Sequence, residues 1–167
     1  LLLAKRLAFD GVPSCAAALD ADGDDDTDLF IGGGTAVGQF PVAAPSQLFI
    51  NHDGGFVGEP LAKVGLVSGC ATSDMDGDGD LVLACEWGSV TLLLNDSGKF
   101  TNASAAWGLA KFTGLWHGVA VADFDGDVFD RRGDDAEHGK EHRVAVARDH
   151  LGRDRLGREA ELGADMF

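Results

Sequence analysis

The sequence predicts an all-β fold built from β-propeller blades: two four-stranded blades and part of a third, which together form an incomplete propeller fragment. A phrase rich in aspartate and glycine occurs three times, beginning at residues 20, 74 and 123. The spacings are 54 and 49 residues, and a period near 50 is typical of propeller blades or solenoid turns. Short apolar segments separated by turn residues fill each period, which predicts about four short strands per repeat.

The first strand of each repeat runs directly into the acidic phrase. Residues 15–19, 69–73 and 118–122 are mostly small or branched, and alanine lies three residues before the first aspartate in every copy. Such a segment predicts a strand that is buried on both faces where space is tight, as near the axis of a propeller.

The second strand follows the acidic phrase, and a hairpin follows the second strand. Residues 29–31 and 81–84 are apolar, with a glycine close behind each. Residues 48–56 and 92–100 then match each other, because asparagine lies five positions before phenylalanine in both. Asparagine, aspartate and glycine between apolar runs are typical of tight turns, so each segment is predicted to form the hairpin that completes its blade.

Each acidic phrase is a candidate metal-binding loop. Carboxylates at alternate positions, with glycine between them, direct several hard oxygen ligands at one centre, which suits Ca²⁺ better than Zn²⁺ or a softer metal. A solvated acidic turn would explain one copy, but three copies in register favour calcium sites. The candidate ligands are Asp20, Asp22, Asp24, Asp26 and Asp28 in the first loop, Asp74, Asp76, Asp78 and Asp80 in the second, and Asp123, Asp125 and Asp127 in the third.

The three loops differ in length and in their flanks. In the second copy the following strand starts two residues early, so Asp80 is predicted to close that loop as Asp28 closes the first. An EF-hand or dockerin loop, the competing calcium module, needs a bidentate acid at its twelfth position. Ile31 and Cys85 occupy that position here, and the apolar flanks with nearby glycines are typical of strands rather than helices.

Together these residues resemble the FG-GAP or VCBS repeat, the calcium-loop blade of integrin-α-like β-propellers, over roughly residues 10–127. The family pattern DxDGDGxxD, followed by an apolar strand and glycine, matches the first copy, with Asp25 where the family usually has glycine. The resemblance implies that Asp26 contributes its backbone carbonyl. It implies four side-chain ligands, namely Asp20, Asp22, Asp24 and Asp28. It also implies an exported protein, extracellular or periplasmic, where millimolar calcium saturates weak sites.

The charge and composition of the chain argue against several classes of function. Of the 28 acidic residues, 13 lie in the three acidic phrases, and the formal charge is −15. An acidic chain with no basic stripe argues against a nucleic-acid partner, and no apolar run approaches the ~20 residues of a membrane span. Residues 1–127 contain no nucleophile with a base, no carboxylate pair suited to acid–base chemistry and no phosphate-binding glycine loop. The chain is therefore not expected to be an enzyme.

The repeats are predicted to occupy residues 1–127, and residues 128–167 are predicted to lie outside the repeat fold. This tail holds 18 charged residues among its 40, with 8 of the 13 lysines and arginines. Disorder, a shifted reading frame or a truncated gene would each explain the change in composition. Because the chain does not begin with Met, residue 1 is expected to be an internal point of a longer protein.

The cysteines and tryptophans are further candidates for functional roles. Three cysteines are too few and too irregularly spaced for a zinc site or a disulfide scaffold. Cys70 and Cys85 flank the second acidic loop, where they either form a disulfide across a hairpin or are small buried thiols. Trp87, Trp107 and Trp116 are expected to pack between blades rather than to form a sugar-binding platform.

The predicted function is a calcium-binding β-propeller repeat segment of an exported protein, which serves as a scaffold for adhesion to a protein or glycan. Exposed loops such as residues 34–45 would meet the partner. Two alternatives stay open: the repeats are the non-catalytic part of a larger secreted enzyme, or the chain is a truncated fragment without independent function. A closed propeller takes roughly 4 to 8 blades, and self-association of several copies is one way to complete it.

Overall fold

The computed structural model describes residues 6–61, 64–75 and 78–122, together with the backbone of residues 143–148 and 160–161. These residues form antiparallel β-strands and one short 3-10 turn, Leu109–Lys111. The strands are β1 (Pro13–Leu19), β2 (Asp28–Gly33), β3 (Gln47–His52), β4 (Gly55–Pro60), β5 (Leu66–Asp74), β6 (Gly79–Ser89), β7 (Thr91–Leu94), β8 (Thr101–Asn102), β9 (Thr113–Ala122), β10 (Arg143–Arg148) and β11 (Ala160–Glu161).

The strands follow one another in two sheets. The first sheet has the order β1-β2-β3-β4, and strands β5 to β8 repeat that order in the second sheet. Strand β9 begins the next unit, pairing with the end of β6 at residues 86–89 and with β10. The all-β prediction of two four-stranded blades and part of a third is confirmed, as are the hairpins predicted after each second strand.

Apolar side chains are buried in two clusters. The first cluster joins the two sheets, with Phe30 and Leu48 from the first meeting Leu81 and Leu83 from the second. The second cluster centres on Val82 and Leu92, and it extends toward β9. Burial between successive sheets is how neighbouring blades stabilise one another, because no single four-stranded sheet can cover both of its own faces.

In the second sheet the strand buried on both faces is β6, which follows the acidic loop, whereas β2 of the first sheet alternates between buried and half-buried residues. In β1 the burial alternates, and Ser14, Ala16 and Ala18 are exposed, whereas residues 80–85 of β6 are all buried. The prediction for the first strand of each repeat was therefore wrong. In the described residues β1 pairs only with β2 at the edge of its sheet, and the exposed Ser14, Ala16 and Ala18 show that one of its faces is open.

Two predictions about individual side chains are corrected by the structure. Trp107 and Trp116 pack against the second cluster as expected, but Trp87 is 60% exposed and lies outside both. Cys70 is opposite Leu83 and Cys85 is opposite Val67 in the β5–β6 pairing. A bulge between Val67 and Gly69 separates these positions, so Cys70 and Cys85 do not face each other across the hairpin.

In the tail, the backbone of β10 pairs with β9 and that of β11 pairs with β10. The remainder of residues 128–167 lies outside the described residues, so the predicted boundary at residue 127 stays a prediction. Among the described residues, no helix has the length and apolar character that crossing a membrane would require.

Candidate metal centre

The first acidic loop connects β1 to β2, and Asp28 closes it. Asp28 lies opposite Leu19 in the strand register and is fully buried. Its Oδ2 accepts a hydrogen bond from the Ala21 N–H at 2.8 Å, and its Oδ1 accepts one from the Asn51 N–H at 2.7 Å. One carboxylate thus joins the start of the loop to the hairpin strand β3. Hydrogen bonds to a carboxylate are shorter and stronger than hydrogen bonds between neutral groups.

Asp20 shapes the turn from the other end of the loop. Its carboxylate oxygens accept hydrogen bonds from the N–H groups of Gly23 at 2.8 Å and Asp25 at 3.0 Å. Both donors have left-handed backbone conformations, with φ of 81° at Gly23 and 67° at Asp25. Aspartate is among the few side chains that tolerate this region, which explains how Asp25 can occupy a position that otherwise favours glycine.

Three carboxylates converge beside this turn. Asp20, Asp22 and Asp28 each place one oxygen within 4.8 Å of the other two. Each carboxylate has about four acceptor positions, so the hydrogen bonds to Asp20 and Asp28 leave lone pairs for a cation. The chemistry of this donor set, hard and anionic, fits Ca²⁺.

A second group extends the centre toward the β3–β4 turn. Asp22, Asp24 and His52 also lie within 4.8 Å of one another, and His52 Nδ1 is 3.4 Å from Asp24 Oδ2. The Asp26 side chain is used differently, because its Oδ2 accepts a hydrogen bond from the Asp53 N–H at 3.0 Å. That bond is compatible with Asp26 offering its backbone carbonyl, rather than its side chain, to a cation.

Desolvation and neighbouring negative charge together raise the pKa of Asp22. Desolvation raises the pKa of Asp22 above its ordinary value of 3.8, and the carboxylates of Asp24 and Asp28 raise it further. A hydrogen bond from the Asp24 backbone and the nearby His52 act in the opposite direction. Because like charges held together favour the protonated acid, a bound cation would relieve this repulsion.

The second loop repeats the closing contact with two fewer residues. Asp80 is fully buried, its Oδ2 accepts from the Met75 N–H at 2.7 Å, and its Oδ1 accepts from the Asn95 N–H at 2.8 Å. Both contacts correspond position by position to those of Asp28. Asp74 is half-buried and Asp78 is exposed. Asp76, Asp123, Asp125 and Asp127 lie outside the described residues.

The first two loops face each other across a cleft of about 440 Å³. Asp20 and Asp22 line one side, and Asp74 and Asp78 line the other. Asn95 ties the two sides together, because its Nδ2 donates to the Ala21 carbonyl at 2.8 Å. The hairpin of the second sheet therefore supports the acidic loop of the first.

The two hairpin asparagines support the candidate site, although the sequence pattern predicted only turns at these positions. The Asn51 Oδ1 accepts from the Gly54 N–H at 2.9 Å, and the Asn95 Oδ1 accepts from the Gly98 N–H at 3.0 Å. Each asparagine thus shapes its own turn while its backbone N–H holds the closing aspartate. The available signal was the shared asparagine five residues before phenylalanine, which was interpreted as turn chemistry alone.

Comparison with known proteins agrees with the repeated architecture. Residues 73–130 match the FG-GAP-like repeat family, so the sequence resemblance is confirmed over that range. The matched range begins at the end of β5 and continues through the second loop and strands β6 to β9 to the third acidic phrase. No curated protein and no solved structure matches the chain significantly.

Proposed function

We propose, from the FG-GAP-like repeat at residues 73–130, that this chain is a calcium-binding β-propeller repeat segment of an exported protein and that it serves as a scaffold for a protein partner. The observation that carries the proposal is the closing contact of Asp28, repeated by Asp80 at the same place in the next sheet. In the first loop this contact is accompanied by the convergent carboxylates of Asp20 and Asp22.

Some aspartates hold the loop in its turned conformation, and others supply negative charge for a cation. The hydrogen bonds of Asp20 and Asp28 hold the loop in its turned form before a cation arrives. Asp22 and Asp24 supply exposed or half-buried negative charge. A bound Ca²⁺ would neutralise that charge and bring the side chains of Asp20, Asp22, Asp24 and Asp28 to one centre with the Asp26 carbonyl. Binding only to the folded loop stabilises the folded chain.

Isothermal titration calorimetry and thermal unfolding test calcium binding directly. The purified chain is titrated with Ca²⁺, and its melting temperature is compared in Ca²⁺, in Mg²⁺ and in EDTA. Asp22→Asn is expected to weaken binding and to reduce the rise in melting temperature produced by Ca²⁺. Asp53→Asn is the matched control, because Asp53 is exposed and only its backbone N–H contacts the loop. Equal losses in both variants would indicate general charge rather than a site.

The surface proposed to meet a partner combines the β2–β3 connection with a bulge of β6 at Trp87, where the pairing with β9 shifts between Glu86 and Gly88. Val37, Phe40 and Val42 are 71%, 66% and 52% exposed, and Trp87 is 60% exposed. Exposed apolar patches mark interaction sites in soluble proteins. The rings of Phe40 and Trp87 meet edge to face, with centroids 5.5 Å apart and planes at 65°. Aliphatic side chains beside tilted rings suit an apolar protein surface better than the flat face of a sugar.

The partner proposal is tested with paired valine variants. Val37→Asp and Val42→Asp place charge within the patch, whereas Val57→Asp places it on β4 at a valine that is 56% exposed. Capture of a defined extracellular protein in Ca²⁺ should be lost in the first two variants and kept in the third. Binding to a glycan array with no protein captured would overturn the choice of partner. Export is tested separately, by finding the parent protein in the culture fluid or periplasm rather than in the cytoplasm.

A further inference from the structure

Two cysteines from successive sheets meet at the edge of the first apolar cluster. Cys15 lies on β1 and Cys70 lies on β5, and both pack against that cluster. Strands β1 and β5 pack against each other, and a side-chain hydrogen bond between the two thiols shifts the pKa of each. The contact joins residues that are 55 positions apart in the sequence, and it exists because the first strands of the two sheets lie against each other.

The absence of a side chain at Gly32 leaves room for the Cys15 sulfur. A Cβ at Gly32 would lie 2.5 Å from the Cys15 Sγ and 2.9 Å from Cγ1 of Val67 on β5. Only glycine therefore leaves room for the sulfur between the first sheet and β5. The Ser14 hydroxyl lies 4.0 Å from the same sulfur.

We propose that Cys15 and Cys70 form a redox-active pair, which oxidises to a disulfide between the first two sheets. The oxidant is a low-molecular-weight disulfide such as oxidised glutathione. The Cys15 thiolate attacks one of its sulfurs and expels one glutathione thiolate, leaving a mixed disulfide. Cys70 then loses its proton to solvent and attacks the Cys15 sulfur, which expels the second glutathione. Two protein thiols are oxidised, and one disulfide is reduced to two thiols.

The environments of the two sulfurs fit these roles. The hydrogen bond from Cys70 lowers the pKa of Cys15, with further lowering from Ser14 and the Gly32 backbone and with burial acting in opposition. The same hydrogen bond is the main reason that the pKa of Cys70 is raised, and burial adds to it. The hydrogen bond to the Cys15 thiolate is lost once Cys15 is in the mixed disulfide, so Cys70 can then lose its proton. The thiolate is the attacking species in exchange, so Cys15 reacts first and Cys70 resolves the mixed disulfide.

Cys85 is excluded from the pair by its surroundings. It is buried within β6, and its Sγ donates to the Val64 carbonyl at 3.2 Å. Burial raises the pKa of its thiol to about 11, which keeps it protonated and inert. The three sulfurs also do not converge within 4.8 Å as a metal site would require.

Random closure of the unfolded chain would not favour the Cys15–Cys70 disulfide, so identifying which cysteines are linked tests the proposal. In an unfolded chain, Cys70–Cys85 closes a much shorter loop than Cys15–Cys70, and it should form roughly sevenfold more readily. The native fold is expected to reverse that order. Because the disulfide would constrain the unfolded chain over a long loop, reduction should lower the melting temperature by roughly 10 °C.

The experiment oxidises the full chain with a glutathione redox buffer, once under native conditions and once in urea. Tryptic peptides 7–63 and 64–99 separate Cys15 from the other two cysteines, and cyanogen bromide at Met75 then separates Cys70 from Cys85. Mass spectrometry identifies the linked pair. Cys85→Ala is the control that should keep the link, whereas Cys15→Ser should lose both the link and the dependence of melting temperature on reductant.

A dominant Cys15–Cys70 link under native conditions, with Cys70–Cys85 prevailing in urea, would support the proposal. The same mixture of links in both conditions would overturn it, because the fold would then make no selection. Three free thiols that persist in oxidising buffer would also overturn it.

Discussion

Replacing Asp28 by asparagine, with stability measured in EDTA, tests how its hydrogen bonds hold the first loop, separately from the proposed metal binding. Asp28 is buried, and its two oxygens accept backbone hydrogen bonds at 2.8 Å and 2.7 Å. Asparagine keeps one acceptor oxygen but turns an NH₂ group toward the other backbone N–H. One charge-assisted bond is lost, and a buried donor is left without a partner.

The cost follows from the strength of such bonds. A hydrogen bond to a charged group contributes about 1.5–3 kcal/mol, and the price of a buried unsatisfied donor is similar. Asp28→Asn is therefore expected to lower the free energy of unfolding by about 2–3 kcal/mol in EDTA. In a chain of 167 residues, that loss corresponds to a melting temperature lower by roughly 4–10 °C.

Asp22→Asn is the matched comparison. Asp22 accepts a single backbone hydrogen bond at 3.3 Å, and its pKa is raised because desolvation and the neighbouring carboxylates disfavour its charge. Removing that charge should leave the melting temperature in EDTA unchanged or slightly higher, while the stabilisation by Ca²⁺ is reduced. Circular dichroism melts of both variants in EDTA and in Ca²⁺ measure the two effects separately.

Two results would refute this division of roles. One is an Asp28→Asn variant that melts like the wild type in EDTA, since its hydrogen bonds would then not hold the loop. The other is an Asp22→Asn variant that loses as much stability in EDTA as Asp28→Asn, since Asp22 would then carry a structural role that its single long hydrogen bond does not provide.

Further predictions concern pH, the hairpins and the β1–β5 contact. Because the folded-state pKa of Asp22 is raised, its contribution to the stability of the metal-free chain is present at low pH and lost as pH rises through that pKa. Ca²⁺ affinity should fall as pH falls through the same pKa, and calorimetry in buffers of different ionisation enthalpy should detect proton release on binding. Asn95→Ala removes a buried bond to Ala21 and should cost about 1–3 kcal/mol in urea unfolding. Asn51→Ala, whose side-chain bonds are exposed, should cost less, and equal costs would contradict the proposed link between sheets. Gly32→Ala should cost about 1–3 kcal/mol through overpacking against Cys15 and Val67, and it should slow Cys15 oxidation.

Local pattern was sufficient to predict the strand order, because each element repeats its own signal in the sequence. The paired hairpins at Asn51 and Asn95 and the shortened second loop ending at Asp80 were all visible in this way. The burial of individual strands could not be predicted from local pattern. The small residues of β1 suggested a crowded interior, but crowding depends on what lies beyond the sheet, and in the described residues β1 has an open face.

Contacts between sheets were also invisible in the sequence. The positions of Cys70 and Cys85 on either side of the second acidic loop left a disulfide and buried thiols as alternatives, and the bulge in β5 shifts their register so that they do not face each other. Cys15 meets Cys70 because β1 packs on β5, a contact that no local pattern specifies. Trp87 was expected in the interior, but it lies on the bulge of β6 with φ of 53° and is exposed. Such placements depend on tertiary packing rather than on residue type.

A calcium titration of the purified wild-type chain, followed by thermal unfolding and sedimentation together, tests the central claim most directly. If these loops bind calcium, the melting temperature rises with Ca²⁺ by an amount corresponding to about 2.7 kcal/mol per site at a free concentration 100 times the Kd. A rise in a monomer would mean that the blades fold as a metal-linked unit, and a rise only in an oligomer would mean that several copies complete the propeller. Identical melting in Ca²⁺ and in EDTA, whatever the state of association, would contradict calcium binding by these loops.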